Sequence, residues 1–218
     1  MEKLSLLFTL SLVCFISMAQ VDRYWKLENY TNPNEIETIT ESELSEDFEK
    51  IGTIFAKAKG VTIISAINSV NNRALRKLKT ETSMRGGSHI LFLHETQENN
   101  IFSKTTAYSA IIYRSPKLNI EDLKNVLNAN NFSFKLERKY NRNKFSHLDN
   151  PINRPLKKLE WNEPYLKNGK IIIEITENIG SSNRLIKYEV IAFSETQILL
   201  FIEDIPSIEM RLISLERT

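Results

Sequence analysis

The chain has 218 residues, a formal net charge of +2 and one cysteine, Cys14. So small a charge gives no argument for a nucleic-acid partner or a general membrane-surface role, and no nucleic-acid partner is expected. Because Cys14 lies in a leader-like segment, a mature chain lacking it has no thiolate-metal, iron-sulfur or disulfide chemistry, and its core must carry stability unaided.

In chain order, Met1-Glu2-Lys3 precedes an apolar run over residues 4–16 that ends in Ser17-Met18-Ala19. This reads as a secretory signal peptide, residues 1–19, cleaved after Ala19. The run is shorter than the roughly 20 residues of a bilayer span, and Val13 departs from the small residue that precedes a lipidated cysteine. Export to a periplasmic or secreted location is therefore expected, with no transmembrane span after cleavage. The next block, Glu35, Glu37, Glu41, Glu43, Glu46, Asp47 and Glu49, holds no cation and reads as solvated.

Residues 44–59 admit two readings. Leu44, Phe48, Ile51, Phe55 and Ala58 form a helical stripe with Gly60 as a stop. Against it, Gly52 inside a helix costs about 1 kcal/mol relative to alanine, and Ile54, Ala56 and Ala58 alternate as in a strand. Over residues 67–84, Ile67, Val70, Ala74, Leu75 and Leu78 predict an amphipathic helix. Its other face is basic, and Gly86-Gly87 ends it. Ile90-Leu91-Phe92-Leu93 then reads as a buried strand and residues 95–100 as a polar turn. Residues 105–114 form a strand in which Ala107, Ser109, Ile111 and Tyr113 face one way and Tyr108, Ala110 and Ile112 the other, so both faces look covered.

Asn119 can cap a short helix over residues 120–129, whose apolar side is Ile120, Leu123, Val126 and Leu127. Beyond it the pattern is all-β, with strands expected at residues 132–140, 156–161, 171–175, 185–193, 197–202 and 208–215. Asn168-Gly169 predicts a tight hairpin turn. The apolar phase of the last strand shifts between Leu212 and Ile213, which implies a bulge or a strand covered on both sides. The expected fold class is α+β: a small α/β domain (20–116), a bridging helix (117–131) and an antiparallel β domain (132–218) of about six strands forming a small barrel or curved sheet.

The segment from Ala74-Leu75-Arg76-Lys77-Leu78-Lys79 through Arg85-Gly86-Gly87-Ser88-His89-Ile90-Leu91 to Tyr113-Arg114 resembles a bacterial envelope pattern. It is similar, over residues 50–114, to the small α/β fold shared by the outer-membrane sensor lipoprotein of the Rcs stress phosphorelay and compact domains labelled heavy-metal-binding. The resemblance implies a strand at residues 51–58. The chain lacks the sensor's cysteines and lipid attachment. Its Asn, Lys, Ile and Glu-rich composition and Ala-Gln signal junction look like those of exported Bacteroidetes proteins.

No chemistry-bearing constellation is compelling. His89 and His94, five apart, fall on opposite faces of a continuous strand and converge only through a bulge, so no metal or other cofactor is expected. His147-x-Asp149 sits in an expected loop without a nucleophile elbow, and Glu160 and Glu163 bracket Trp161 in the manner of a core-and-rim pair. The expectation is a non-catalytic binding or assembly module with an envelope protein or anionic surface component as partner. Its candidate contacts are Arg73, Arg76, Lys77 and Arg85 on the helix, and Lys139, Tyr140, Arg142, Lys144 and Phe145 within the basic stretch 135–158. For that basic stretch, a solvated strand edge and loop is the favoured reading. The alternatives are an envelope hydrolase using His147 or the acids near Trp161, and an apolar-ligand carrier whose C-terminal strands enclose a cavity.

Overall fold

The computed structural model describes residues 26–60, 66–99, 104–141, 146–151, 159–179, 182–204 and 209–218, apart from the side chains of 146–151, 178–179 and 204. The expected signal peptide and Arg142, Lys144 and Phe145 lie outside the described residues. The fold is mixed α+β, with two helices and two sheets.

The first sheet is built from β1 (Glu37–Thr38), β2 (Glu49–Lys59), β3 (His89–Asn99) and β4 (Lys104–Arg114), in the order β1-β3-β4-β2. Both β2 and β3 run antiparallel to β4, so β2 and β3 are parallel to each other and joined by α1 (Ile67–Met84) across one face. Alternation thus prevails over the helical stripe at β2. As a strand, Ile54, Ala56 and Ala58 all point at α1 and bury against Val70, Ala74 and Leu78, a face that a helix with Gly52 inside it would not present. Among the described residues no helix covers the other face: Phe48 packs on His89 and Tyr113 at one end, Phe55 is 54% exposed, and Ala107, Ser109, Ile111 and Tyr113 remain half-buried rather than covered as expected.

A Schellman motif ends α1, in which the Gly87 amide reaches the Thr82 carbonyl (2.9 Å) and the Gly86 amide that of Ser83 (2.9 Å). Gly86 takes φ +72°, the left-handed conformation that motif requires. A Cβ there would stand 2.8 Å from Cβ of Ile191, so the turn also permits a close approach to the second sheet.

The linker helix α2 (Ile120–Ala129) starts where the Asn119 side chain accepts from the Glu121 amide (2.9 Å). It packs Leu123 and Leu127 on the second sheet. This sheet is wholly antiparallel and has eight strands among the described residues, where about six were expected. They are β5 (Phe132–Asn141), β6 (Ser146–Pro151), β7 (Glu160–Trp161), β8 (Tyr165–Lys167), β9 (Lys170–Ile179), β10 (Ser182–Phe193), β11 (Gln197–Asp204) and β12 (Glu209–Arg217). The path β6-β5-β12-β11-β10-β9-β7, with β8 also on β9, is open rather than a closed barrel. Asn168 (φ 53°) and Gly169 (φ 78°) form the predicted two-residue turn between β8 and β9. Of the strand expected at 156–161, Glu160 and Trp161 pair with β9, and residues 156–158 lie outside the described residues.

Both faces of this sheet are buried. Phe132, Ile173, Tyr188, Val190, Leu200 and Ile213 pack under α2. The opposite face, with Tyr140, Ile191, Leu199, Phe201, Met210 and Leu212, packs against Met84 of α1 and Leu27 and Tyr30 of the N-terminal segment. The phase shift in β12 has its cause here: Met210 and Leu212 serve one core, Ile213 and Leu215 the other, and the register with β5 slips between Ser214 and Leu215.

Candidate functional site

The basic face of α1 is mostly turned inward. Arg73 donates from Nη2 to the Lys59 carbonyl (2.7 Å), Lys77 from Nζ to that of Lys57 (3.3 Å), and Lys79 to that of Ile36 (2.8 Å). Lys57 and Lys59 belong to the outer edge of β2, so Arg73 and Lys77 occupy carbonyls that an incoming strand would use. Burial, and then the Arg73 charge, hold the Lys77 amine below its ordinary pKa. Arg76 alone of the expected helix residues is exposed. It lines a recess of ≈ 190 Å³ with Pro33, Asn34, Asn72, Leu75 and Lys79.

Arg85 bridges the two halves. Its Nη2 pairs with Glu203 of β11 (2.8 Å) and Glu81 of its own helix (3.1 Å), and its guanidinium lies 5.3 Å from the Phe201 ring centroid. Arg114, the end of β4, is 4% exposed and donates from Nε to the Gly86 carbonyl (2.9 Å). Burial lowers its pKa, opposed by the charges of Glu49 and Glu189. On the second sheet, Lys139 pairs with Glu209 (3.7 Å), whereas Tyr140, expected as a surface anchor, is fully buried between the halves. A buried tyrosine makes its contribution to packing and presents nothing to a partner.

The described side chains among those considered for catalysis do not assemble. Trp161 packs on the α2 core and against Phe132 (6.5 Å), while Glu163 engages Lys124 of α2 (2.9 Å) at the surface. His147 and Asp149 lie in strand β6, paired with Tyr140 and Arg138, rather than in a loop; their side chains are outside the description. The positions a ligand cavity would need open are filled: Ile173, Tyr188, Leu200 and Met210 are at most 1% exposed.

Strand β3 holds the feature that sequence reasoning missed. Residues 95–99 continue the strand instead of turning. A bulge between Phe92 and His94 re-phases it, so that His89 opposite Tyr113 and His94 opposite Ser109 share the uncovered face. The two imidazoles still stand four ladder positions apart, about 13 Å. Glu95 on the helix side helps hold the extension: burial, and then the Glu95 carboxylate, raise the pKa of the Tyr108 hydroxyl. Gln97 donates to Asn71 of α1 (3.1 Å).

Among the described residues, no strand pairs with the outer edge of this extension. β1 reaches only His89 and Ile90, and residues 93–99 are all exposed, with Leu93 at 53%. The Gly60 amide bonds the Lys104 carbonyl, so even-numbered residues of β4 serve β2 and odd-numbered ones serve β3. His94, Thr96 and Glu98 therefore turn their backbone groups to β4, whereas Glu95, Gln97 and Asn99 turn theirs outward, where no strand stands among the described residues.

No family model, curated protein or solved structure matches the chain. The site is therefore argued from its own geometry. Among the described residues, no group of three or more His, Cys, Asp or Glu side chains is placed to hold a metal, and no helix is long and apolar enough to cross a membrane.

Proposed function

We propose that this is an exported, non-catalytic assembly module of the cell envelope that joins its partner chain by accepting an extended strand on the outer edge of β3. Support comes chiefly from one observation, the outward-turned backbone of Glu95, Gln97 and Asn99 on an exposed strand edge that no strand meets among the described residues. Such an edge is a template for main-chain pairing unless it is blunted. The opposite edge of the same sheet is blunted, by Arg73 and Lys77. Residues 93–99 contain neither the lysine nor the proline that discourages pairing. Export rests on the leader at residues 1–19.

Strand acceptance is preferred to a basic contact surface because Arg73, Lys77, Arg85 and Lys139 are each engaged within the chain, while Arg142, Lys144 and Phe145 lie outside the described residues. A photoreactive side chain at Thr96, on the protein in its native envelope, is expected to form an adduct that Gln97→Pro abolishes without unfolding the chain. An adduct that is insensitive to this proline, or that forms only from position 76, overturns the reading.

A further inference from the structure

We infer that the strand accepted by β3 is β3 of a second copy of this chain, paired antiparallel about a two-fold axis at Thr96; the inference rests on the strand-accepting reading above. In this register residues whose numbers sum to 192 face each other. Glu95 of one copy meets Gln97 of the other and the reverse, and these are the residues whose backbone groups point outward. The two pairs give four main-chain hydrogen bonds.

Charge selects this register. It sets His94 opposite Glu98 twice and Thr96 opposite Thr96, with no like charges face to face. Centring instead on Glu95 would oppose two glutamates, centring on Gln97 would oppose no like charges but would lose both His94–Glu98 pairs, and a sum of 193 would set Glu95 against Glu98. An even sum also keeps each face of the sheet continuous across the axis. Both copies of α1 then cover one side, and both uncovered faces, with Phe55 and Ile111, form one surface on the other. Room exists for this, because α1 lies mainly over β2 and β4 and leans away from the β3 edge. The four-stranded first sheet thus becomes half of an eight-stranded one. A foreign strand would satisfy the same backbone groups, but the chain's own segment is complementary to itself in sequence.

Sedimentation equilibrium of the exported chain over a wide concentration range tests this. A weak self-association is expected, in the micromolar-to-millimolar range suited to a small interface. His94→Glu places acids opposite each other at both symmetry-related pairs and should weaken the dimer about tenfold or more. His94→Glu with Glu98→Lys should restore it. Gln97→Pro removes an amide that β4 does not use, so it should give a folded monomer.

A chain that stays monomeric at every concentration, or a dimer indifferent to both His94→Glu and Gln97→Pro, overturns the inference. The mass of the Thr96 adduct separates this failure from that of the broader reading. A proline-sensitive adduct to a different protein defeats self-pairing but keeps strand acceptance, whereas a proline-insensitive adduct, or one confined to position 76, defeats both.

Discussion

Arg114 donates from Nε to the carbonyl of Gly86 at 2.9 Å, and so the last residue of β4 holds the turn that ends α1 against the second sheet. Its Nη2 also reaches the Arg85 carbonyl (3.4 Å), and Nη1 lies 3.7 Å from Glu49. Replacement by methionine would leave buried carbonyls and the half-buried Glu49 without this cation. Arg114→Met is expected to cost about 3 kcal/mol, read as a lowered urea midpoint at unchanged slope. Arg114→Lys should recover only part, since an ammonium cannot present the same fork of donors.

Gly86 is expected to be the least replaceable glycine of the pair Gly86 and Gly52. At Gly86 the left-handed backbone and a 2.8 Å approach to Ile191 act together, so Gly86→Ala should cost about 3 kcal/mol. At Gly52 an added Cβ meets nothing within 4 Å, and Gly52→Ala should stabilise by about 0.5 kcal/mol through the unfolded chain. Thermal unfolding of the two variants in parallel checks the opposite signs.

Tyr140 and Arg76 separate packing from surface. Tyr140→Ala removes a fully buried ring from the core between the halves and should cost about 3 to 5 kcal/mol, while Arg76→Ala at an exposed position should stay within about 0.5 kcal/mol. Denaturation midpoints decide it. Equal small effects would place Tyr140 at the surface after all.

Both helices were legible because each combines a long apolar stripe with a local stop or cap, Gly86 in one case and Asn119 in the other. The Asn168-Gly169 turn and the two-sided β12 were legible for the same local reason. The central core was not, because it joins Leu27 and Tyr30 to Ile191 and Phe201, pairs whose proximity no local pattern encodes. The extension of β3 was hidden differently. Residues 95–99 are polar on both sides, held by pairing to β4 and by Tyr108 and Asn71 rather than by burial, so their composition reads as a turn. An open edge is a property of a missing neighbour, and no residue type marks it.

Acid should weaken the second sheet through Glu174. Hydrogen bonds first from Lys187 and then from Asn162 and Tyr165 hold its carboxyl below the usual glutamate range. A carboxyl with a depressed folded pKa adds stability above its unfolded value, about 4.3, and loses it as pH falls through the folded value. Glu174→Gln should therefore lower stability at neutral pH and flatten the decline below about pH 4.3. Lys187 behaves oppositely: Glu174 raises its pKa, so its contribution is complete below the ordinary lysine value and fades as pH rises through the folded one. Denaturant midpoints at acid and neutral pH, for the parent chain and the variant, test the sign.

The geometry of β3 predicts an alternating pattern of amide exchange. His94, Thr96 and Glu98 direct their amides to β4, opposite Ser109, Ala107 and Thr105, and should be protected. Glu95, Gln97 and Asn99 direct theirs outward and should exchange fast in dilute protein. Raising the concentration should then slow Glu95 and Gln97 selectively, because these amides enter the ladder of the two-fold pair. Residue-resolved hydrogen exchange by NMR measures both effects in one sample series. Uniformly fast exchange from Leu93 onward would mean that the strand ends at the bulge and offers no edge. Protection of Glu95 and Gln97 at the lowest concentration would mean that another segment of the chain already covers it.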